Sequence, residues 1–307
     1  MPAESTAIAR PGGLERVMKL RAFSAFAGLA PSQLAVLAEL AQERFFPAGA
    51  IIQEEGTPAR EIHYLIEGEV EIRRRGRPPR QFGPLSVING LAALARIKRS
   101  HEVVARADTT MLSFTHEDQI DVFEDNFEIL AGVLRGVAGA FIDASTAAAA
   151  APDEPAPPPA APTGPDRVLS LVEKITALRS AAPYDQVPLE ALAELARESA
   201  QVRHAAGEPL WSAGDESAWS LAIVTGCVAA TAGETRRRFG PGRIAGALDS
   251  MAGRTRGFDA VAETDIIGLR IETGMLLDLL EDRTDMALVL LHSMARDVLA
   301  LRERAAG

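Results

Sequence analysis

The 307 residues are 47% hydrophobic but only 5% aromatic, enough for two mostly aliphatic cores. The net charge of −10 divides into −3 over residues 1–143 (16 basic, 19 acidic) and −7 over 144–307 (16 basic, 23 acidic), so neither half has the basic excess of a nucleic-acid binder. A single cysteine, Cys227, excludes an internal disulfide or a paired-cysteine metal site, and no apolar run approaches the ~18 residues of a membrane helix.

In chain order, residues 1–19 form an N-terminal segment without the apolar stretch of a leader, which fits a cytoplasmic protein. The stretch PSQLAVLAELAQ predicts a short helix opened by Pro31. Gly-punctuated runs follow, AIIQEEG, EIHYLIEGEVEIRRRG and HEVVARADTTMLSF, whose β-branched content predicts strands. Phe123, Phe127, Leu130, Leu134, Val137 and Phe141 then make one apolar seam at heptad spacing, predicting a long closing helix. From Ala144 to Asp166 the chain holds seven of its 19 prolines and no large apolar residue, which predicts an exposed linker over 144–167. The same order then repeats: PLEALAELARES, turn-punctuated strands, and a closing seam through Leu280, Ala287, Leu291, Met294, Val298 and Leu301.

The repetition is a tandem duplication. Gly49, Gly56 and Gly68 recur 158 positions on as Gly207, Gly214 and Gly226. Phe82-Gly83-Pro84 recurs 157 positions on as Phe239-Gly240-Pro241, and that offset then carries Arg99 onto Arg256, Ala105 onto Ala262 and Asp108 onto Asp265. Two domains are expected, over 20–143 and 168–307.

The stretches PAGAIIQEEGTPAREIHYLIEGEVEI and FGPGRIAGALDSMAGRTRGFDAVAETD resemble the cyclic nucleotide-binding domain, the likeness covering nearly all of both halves. The resemblance implies a mainly β fold with helices: two β-roll, jelly-roll-like domains, each with an N-terminal helical segment and a long C-terminal helix. It also implies a phosphate-binding cassette, in which a Gly-Glu-Leu triplet is followed by an Arg and a small residue. Asn89-Gly90-Leu91 with Arg99-Ser100, and Gly246-Ala247-Leu248 with Arg256-Gly257, stand at those positions. Both Arg are kept and both Glu, which in the family hold the ribose hydroxyl, are replaced, by Gly90 and Ala247. An Arg fork and close backbone approach favour an anion. A missing carboxylate–hydroxyl bond removes about 1.5–3 kcal/mol, one to two decades of affinity.

Three readings stay open: weak or atypical cyclic-nucleotide binding, binding of another anion, or a ligand-independent docking scaffold. Glu102 and Asp259, each three residues past its Arg, are candidates to neutralise it internally, though residues three apart on a strand face opposite ways. The runs Arg73–Arg75 and Arg236–Arg238 read as solvated hairpin tips, Cys227 as a structural thiol, and Trp211 and Trp219 as packing of the second roll. No metal-ligand spacing, nucleophile elbow or phosphate loop is present, so no enzyme, metal or cofactor is expected beyond a cyclic-nucleotide ligand. The closing seams suit either packing on their own rolls or a homodimer. The tandem layout also resembles the regulatory subunit of the cyclic-AMP-dependent kinase, without an Arg-Arg-x-Ser-like inhibitor segment. The chain ends directly after the second closing helix, leaving no room for a winged helix-turn-helix. The expectation is therefore a regulator that signals through a protein partner, without a DNA-binding domain or a membrane segment.

Overall fold

The computed structural model describes residues 6–7, 13–23, 26, 29–97, 101–147 and 168–305. Arg99, Ser100 and residues 148–167 of the expected linker lie outside them. Two compact units emerge, Met1–Val133 and Leu134–Gly307.

In the first unit, helices α1 (Gly13–Arg21) and α2 (Pro31–Leu40) precede the strands. Pro31 opens α2, where its missing N–H would have no intrahelical partner. One sheet orders β1 (Thr6–Ala7), β2 (Gln42–Phe46), β9 (Thr109–Thr115), β4 (Glu61–Glu67) and β7 (Val87–Ile88). The other orders β3 (Ile51–Gln53), β8 (Glu102–Ala105), β5 (Val70–Arg73) and β6 (Arg80–Phe82). Leu65, Val70, Ile88, Val103 and Met111, drawn from both sheets, form a buried core. A five-residue helix, α3 (Gly90–Leu94), follows β7. Helix α4 (His116–Asp125) starts at a capping box in which Thr115 Oγ1 accepts from the Asp118 N–H at 3.1 Å. Helix α5 (Phe127–Ala147) follows, and the division between the units falls inside it.

The second unit repeats the plan. Helix α6 (Leu171–Arg179) begins at a Ser170–Glu173 capping box and is followed by α7 (Leu189–Glu198). One sheet orders β10 (Ala200–His204), β17 (Ile266–Glu272), β12 (Trp219–Thr225) and β15 (Ile244–Ala245). The facing sheet orders β11 (Pro209–Trp211), β16 (Asp259–Ala262), β13 (Val228–Ala232) and β14 (Thr235–Phe239). The six-residue α8 (Ala247–Ala252) follows β15, and α9 (Thr273–Asp282) and α10 (Thr284–Ala305) close the unit. Leu280, Ala287, Leu291, Met294 and Val298 are buried, so packing within the chain already accounts for the closing seam.

The duplication extends to individual backbone pairs. Trp219 faces Glu272 as Glu61 faces Thr115, and Val228 faces Ala262 as Val70 faces Ala105. The same register slip recurs too, between Leu65 and Glu67 and between Ile223 and Thr225. Past each slip the hairpin turns on a glycine with no room for a side chain. Gly226 has φ +85°, and a Cβ there would overlap the Asp265 carbonyl; Gly68, at φ +93°, would put one 2.7 Å from Thr109 Cα.

Gly207 shares the left-handed backbone, at φ +86°, but a Cβ there meets nothing within 4 Å. Gly207→Ala is therefore expected to cost only the left-handed penalty, about 1 kcal/mol. Gly226→Ala adds overlap with rigid backbone and is expected to cost about 3 kcal/mol. Urea denaturation of the two variants measures the difference.

Candidate ligand-binding site

Each cassette begins where a short strand meets a residue in the left-handed region. Asn89 (φ +69°) links β7 to α3, and Gly246 (φ +76°) links β15 to α8. Asn and Gly are the residue types that tolerate this backbone best.

In the second unit the expected cassette positions are bridged by Arg256 itself. Arg256 is only 2% exposed. Its backbone is pinned to the turn after β11: its N–H donates to the Asp215 carbonyl and its carbonyl accepts from the Gly214 N–H, both at 2.8 Å. Its side chain runs inward. Nη1 donates to the Gly246 carbonyl at 3.0 Å and Nη2 donates to the Trp219 carbonyl. The guanidinium carbon sits 4.1 Å from the ring centre of Trp211 and 5.4 Å from that of Trp219. The two indoles meet edge to face at 5.1 Å, and Phe258 packs on Trp211 at 5.7 Å. Ser250 Oγ lies 2.8 Å from the Gly246 carbonyl and 3.1 Å from the Trp219 carbonyl, the acceptors Arg256 uses. The roll interior is thus filled by indole, phenyl and guanidinium groups.

Burial disfavours charge on both members of the nearest acid–base pair. Desolvation holds the Arg256 guanidinium below its ordinary pKa, opposed by the charges of Asp249 and Asp215. Desolvation likewise pushes the Asp249 carboxyl up, opposed by the Gly257 N–H at 3.5 Å and by Arg256 and Arg254. Asp259, a candidate neutraliser of Arg256, instead accepts from the Ala213 N–H at 2.8 Å. Ala247 and Leu248 lie half-buried on α8, and Gly257 is exposed.

The first unit has different chemistry at matching register. Gln53 stands where Trp211 does, Glu61 where Trp219 does, His63 where Leu221 does and Ser113 where Arg270 does. His63 Nδ1 lies 2.7 Å from Ser113 Oγ, both buried, and Glu61 is held by Arg44 at 2.6 Å. Asn89 is 4% exposed and donates through Nδ2 to Gln53 Oε1 at 3.3 Å. Gly90 and Leu91 are half-buried at the start of α3. Glu102, the counterpart candidate neutraliser, lies 3.5 Å from Arg73.

The other polar candidates resolve into local ion pairs. Arg238 grips Glu263 through Nε (2.8 Å) and Nη2 (2.6 Å), Arg236 adds a third contact at 3.2 Å, and Cys227 Sγ is 3.4 Å from the same carboxylate. Among the described residues no cluster of three His, Cys, Asp or Glu side chains could hold a metal, and no helix is long and apolar enough to cross a membrane.

The sequence reading placed Trp211 and Trp219 in the second roll but missed that they cage Arg256. The signal was the set of exchanges between copies, Gln53 to Trp211, Glu61 to Trp219 and Asn89 to Gly246, which clear space for a guanidinium and supply its aromatic walls.

Residues 43–126 match the family model of the cyclic nucleotide-binding domain. The matched residues all lie within the first unit. No curated protein sequence matches the chain. Among solved structures it is similar to the regulatory subunit of a cAMP-independent protein kinase A from Trypanosoma brucei (14% identity, 93% of each chain covered, TM-score 0.35). It is also similar to the cAMP-bound regulatory domain of Toxoplasma gondii protein kinase A (15% identity, 91% of this chain and 99% of that one, TM-score 0.35). The N-terminal domain of a Streptomyces coelicolor transcriptional regulator matches 39% of this chain and 89% of its own at 25% identity, TM-score 0.36.

A Cβ on Gly246 would overlap Arg256 Nη1 and lie 3.2 Å from Trp211. Gly246→Ala is therefore expected to displace Arg256 and to cost about 2–4 kcal/mol in unfolding free energy. The chain's only two tryptophans are both in the cage, so intrinsic fluorescence reports the displacement directly. At Asp249 a raised folded-state pKa means the folded protein binds the proton more tightly, so its contribution to stability falls as pH rises through that pKa. Asp249→Asn is expected to be more stable than the parent at pH 7, with the gap closing as pH drops below the ordinary carboxylate range; chemical denaturation across pH 3.5–7.5 follows it.

Proposed function

We propose that this chain is a non-enzymatic cytoplasmic regulator with two unequal units. The first takes a cyclic nucleotide or a related anionic ligand. The second has kept the fold as a ligand-independent docking body. The output passes through a protein partner. The observation that carries this reading is the closed state of Arg256, with both terminal nitrogens on backbone carbonyls and an indole against its face.

For an anion to recruit Arg256, both bonds and the aromatic contact must break. Hydrogen bonds from a charged donor contribute about 1.5–3 kcal/mol each, and a desolvated cation–π contact about 2 kcal/mol. Extraction therefore costs about 5 kcal/mol or more, close to four decades of affinity. The first unit has polar side chains where the second has its aromatic filling, which supports it as the ligand-binding copy. Arg99 is the cation this reading assigns to the ligand phosphate, and Ser100, Gly90 and Leu91 are the other residues it assigns to the ligand.

Thermal unfolding with cyclic AMP, cyclic GMP and cyclic di-GMP tests the assignment. A ligand at about 100 times its Kd adds about 2.7 kcal/mol to the folded state. The upward shift is expected in the parent and in Arg256→Ala, and is expected to vanish in Arg99→Ala. A shift that survives Arg99→Ala and disappears in Arg256→Ala would reverse the assignment. No shift at millimolar ligand would leave a scaffold in both units.

A further inference from the structure

We infer that the second half of α5 is a releasable clamp on the closed arginine of the second unit: Asp143 holds Arg254, and through it positions Arg256. The inference rests on the reading of the second unit as the closed one.

Residues 134–147 of α5 belong to the second unit. Three of them, Arg135, Gly139 and Asp143, follow at four-residue spacing on one face of the helix and meet the loop that leaves α8. The Arg135 side chain lies along Gly253, where a Cβ would be 3.6 Å from its Nε. Gly139 leaves room for the Arg254 guanidinium, since a Cβ there would be 3.2 Å from Nη2. Asp143 takes that guanidinium at two points: Oδ1 accepts from Nη1 at 2.7 Å and Oδ2 from Nη2 at 3.3 Å. The bonds from Arg254 hold the Asp143 carboxyl below the usual carboxylate range, with Arg302 adding to the pull.

Arg254 stands two residues before Arg256, and its backbone is tied to the same turn. Its N–H donates to the Asp249 carbonyl at 3.0 Å, and its carbonyl accepts from the Ser217 hydroxyl. Ser217 is two residues before Trp219, whose carbonyl takes Nη2 of Arg256. The Arg256 backbone is bonded to Asp215 and Gly214 in that turn. A shift of Arg254 therefore reaches Arg256 along the chain and across the turn. The clamp itself is weak. Arg254 is 45% and Asp143 66% exposed, and an ion pair so placed contributes little and is screened by salt. A weak clamp on a buried cage sets how often the cage opens, while the cage contacts decide that it forms.

The test is residue-resolved amide hydrogen exchange on the full chain, which reads the opening equilibrium at each site. The Arg256 and Gly214 amides, both bonded in the turn, report on the cage, and the Leu269 amide in β17 reports on the roll as a whole. Asp143→Ala is expected to speed exchange at Arg256 and Gly214 about two- to fivefold, the worth of one exposed ion pair, and to leave Leu269 unchanged. Arg254→Ala is expected to do the same, and the double variant to go no faster than either single one. Added salt is expected to speed these two amides in the parent and not in Asp143→Ala. Unchanged exchange at Arg256 and Gly214 in Asp143→Ala overturns the clamp while leaving the closed reading intact. An equal acceleration at Leu269 also overturns it, because the ion pair then serves general stability only. An Arg256 amide that is unprotected in the parent overturns the closed reading itself, and the clamp with it.

Discussion

The contact on which the second unit depends is the one between the Arg256 guanidinium and the Gly246 carbonyl. A buried guanidinium is tolerable only where its donors and its charge are answered locally. Here two carbonyls take the terminal nitrogens, and two indoles and the nearby carboxylates of Asp249 and Asp215 answer the charge, while Nε has no hydrogen-bond partner among the described residues. Each helper depends on the others. The carbonyls are aimed by the left-handed turn at Gly246 and the β12 start at Trp219, and the indole of Trp211 is positioned by the slip in β11. The contact between residues 246 and 256 is part of the core of its own roll.

The two units therefore express one backbone plan with opposite interior chemistry. Their registers agree strand by strand, down to the same slip before the Gly68 and Gly226 turns. Their interiors differ at a few facing positions, aromatic in one and polar in the other. A roll whose interior is filled by rigid rings gains hydrophobic and cation–π stabilisation. One with buried amide, imidazole and hydroxyl groups has to satisfy each of them. That contrast distinguishes the two units more sharply than anything in their shared backbone plan.

Much of this was legible beforehand. The glycine matches at offsets of 158 and 157 located the duplication, because left-handed turns leave so few residue choices, and Pro31 and Pro188 marked real helix starts. What the linear sequence hid was direction. An Arg at a cassette position reads the same whether it faces a ligand or the core, and only the placement of Trp211 and Trp219 against it decides. The partners of Glu102 and Asp259 were hidden for a related reason. Arg73 and the Ala213 N–H are distant in sequence and come together through sheet pairing and turn geometry.

The Gly246 position also constrains how this protein can change. With Arg256 seated, any side chain at 246 collides with it, so a polar residue there, as Asn89 is in the first unit, is barred while the cage stands. Replacing Arg256 first would leave a void against the two indoles. Neither single step is neutral, and coupled positions of this kind revert only together. Closure of the second unit therefore works as a ratchet.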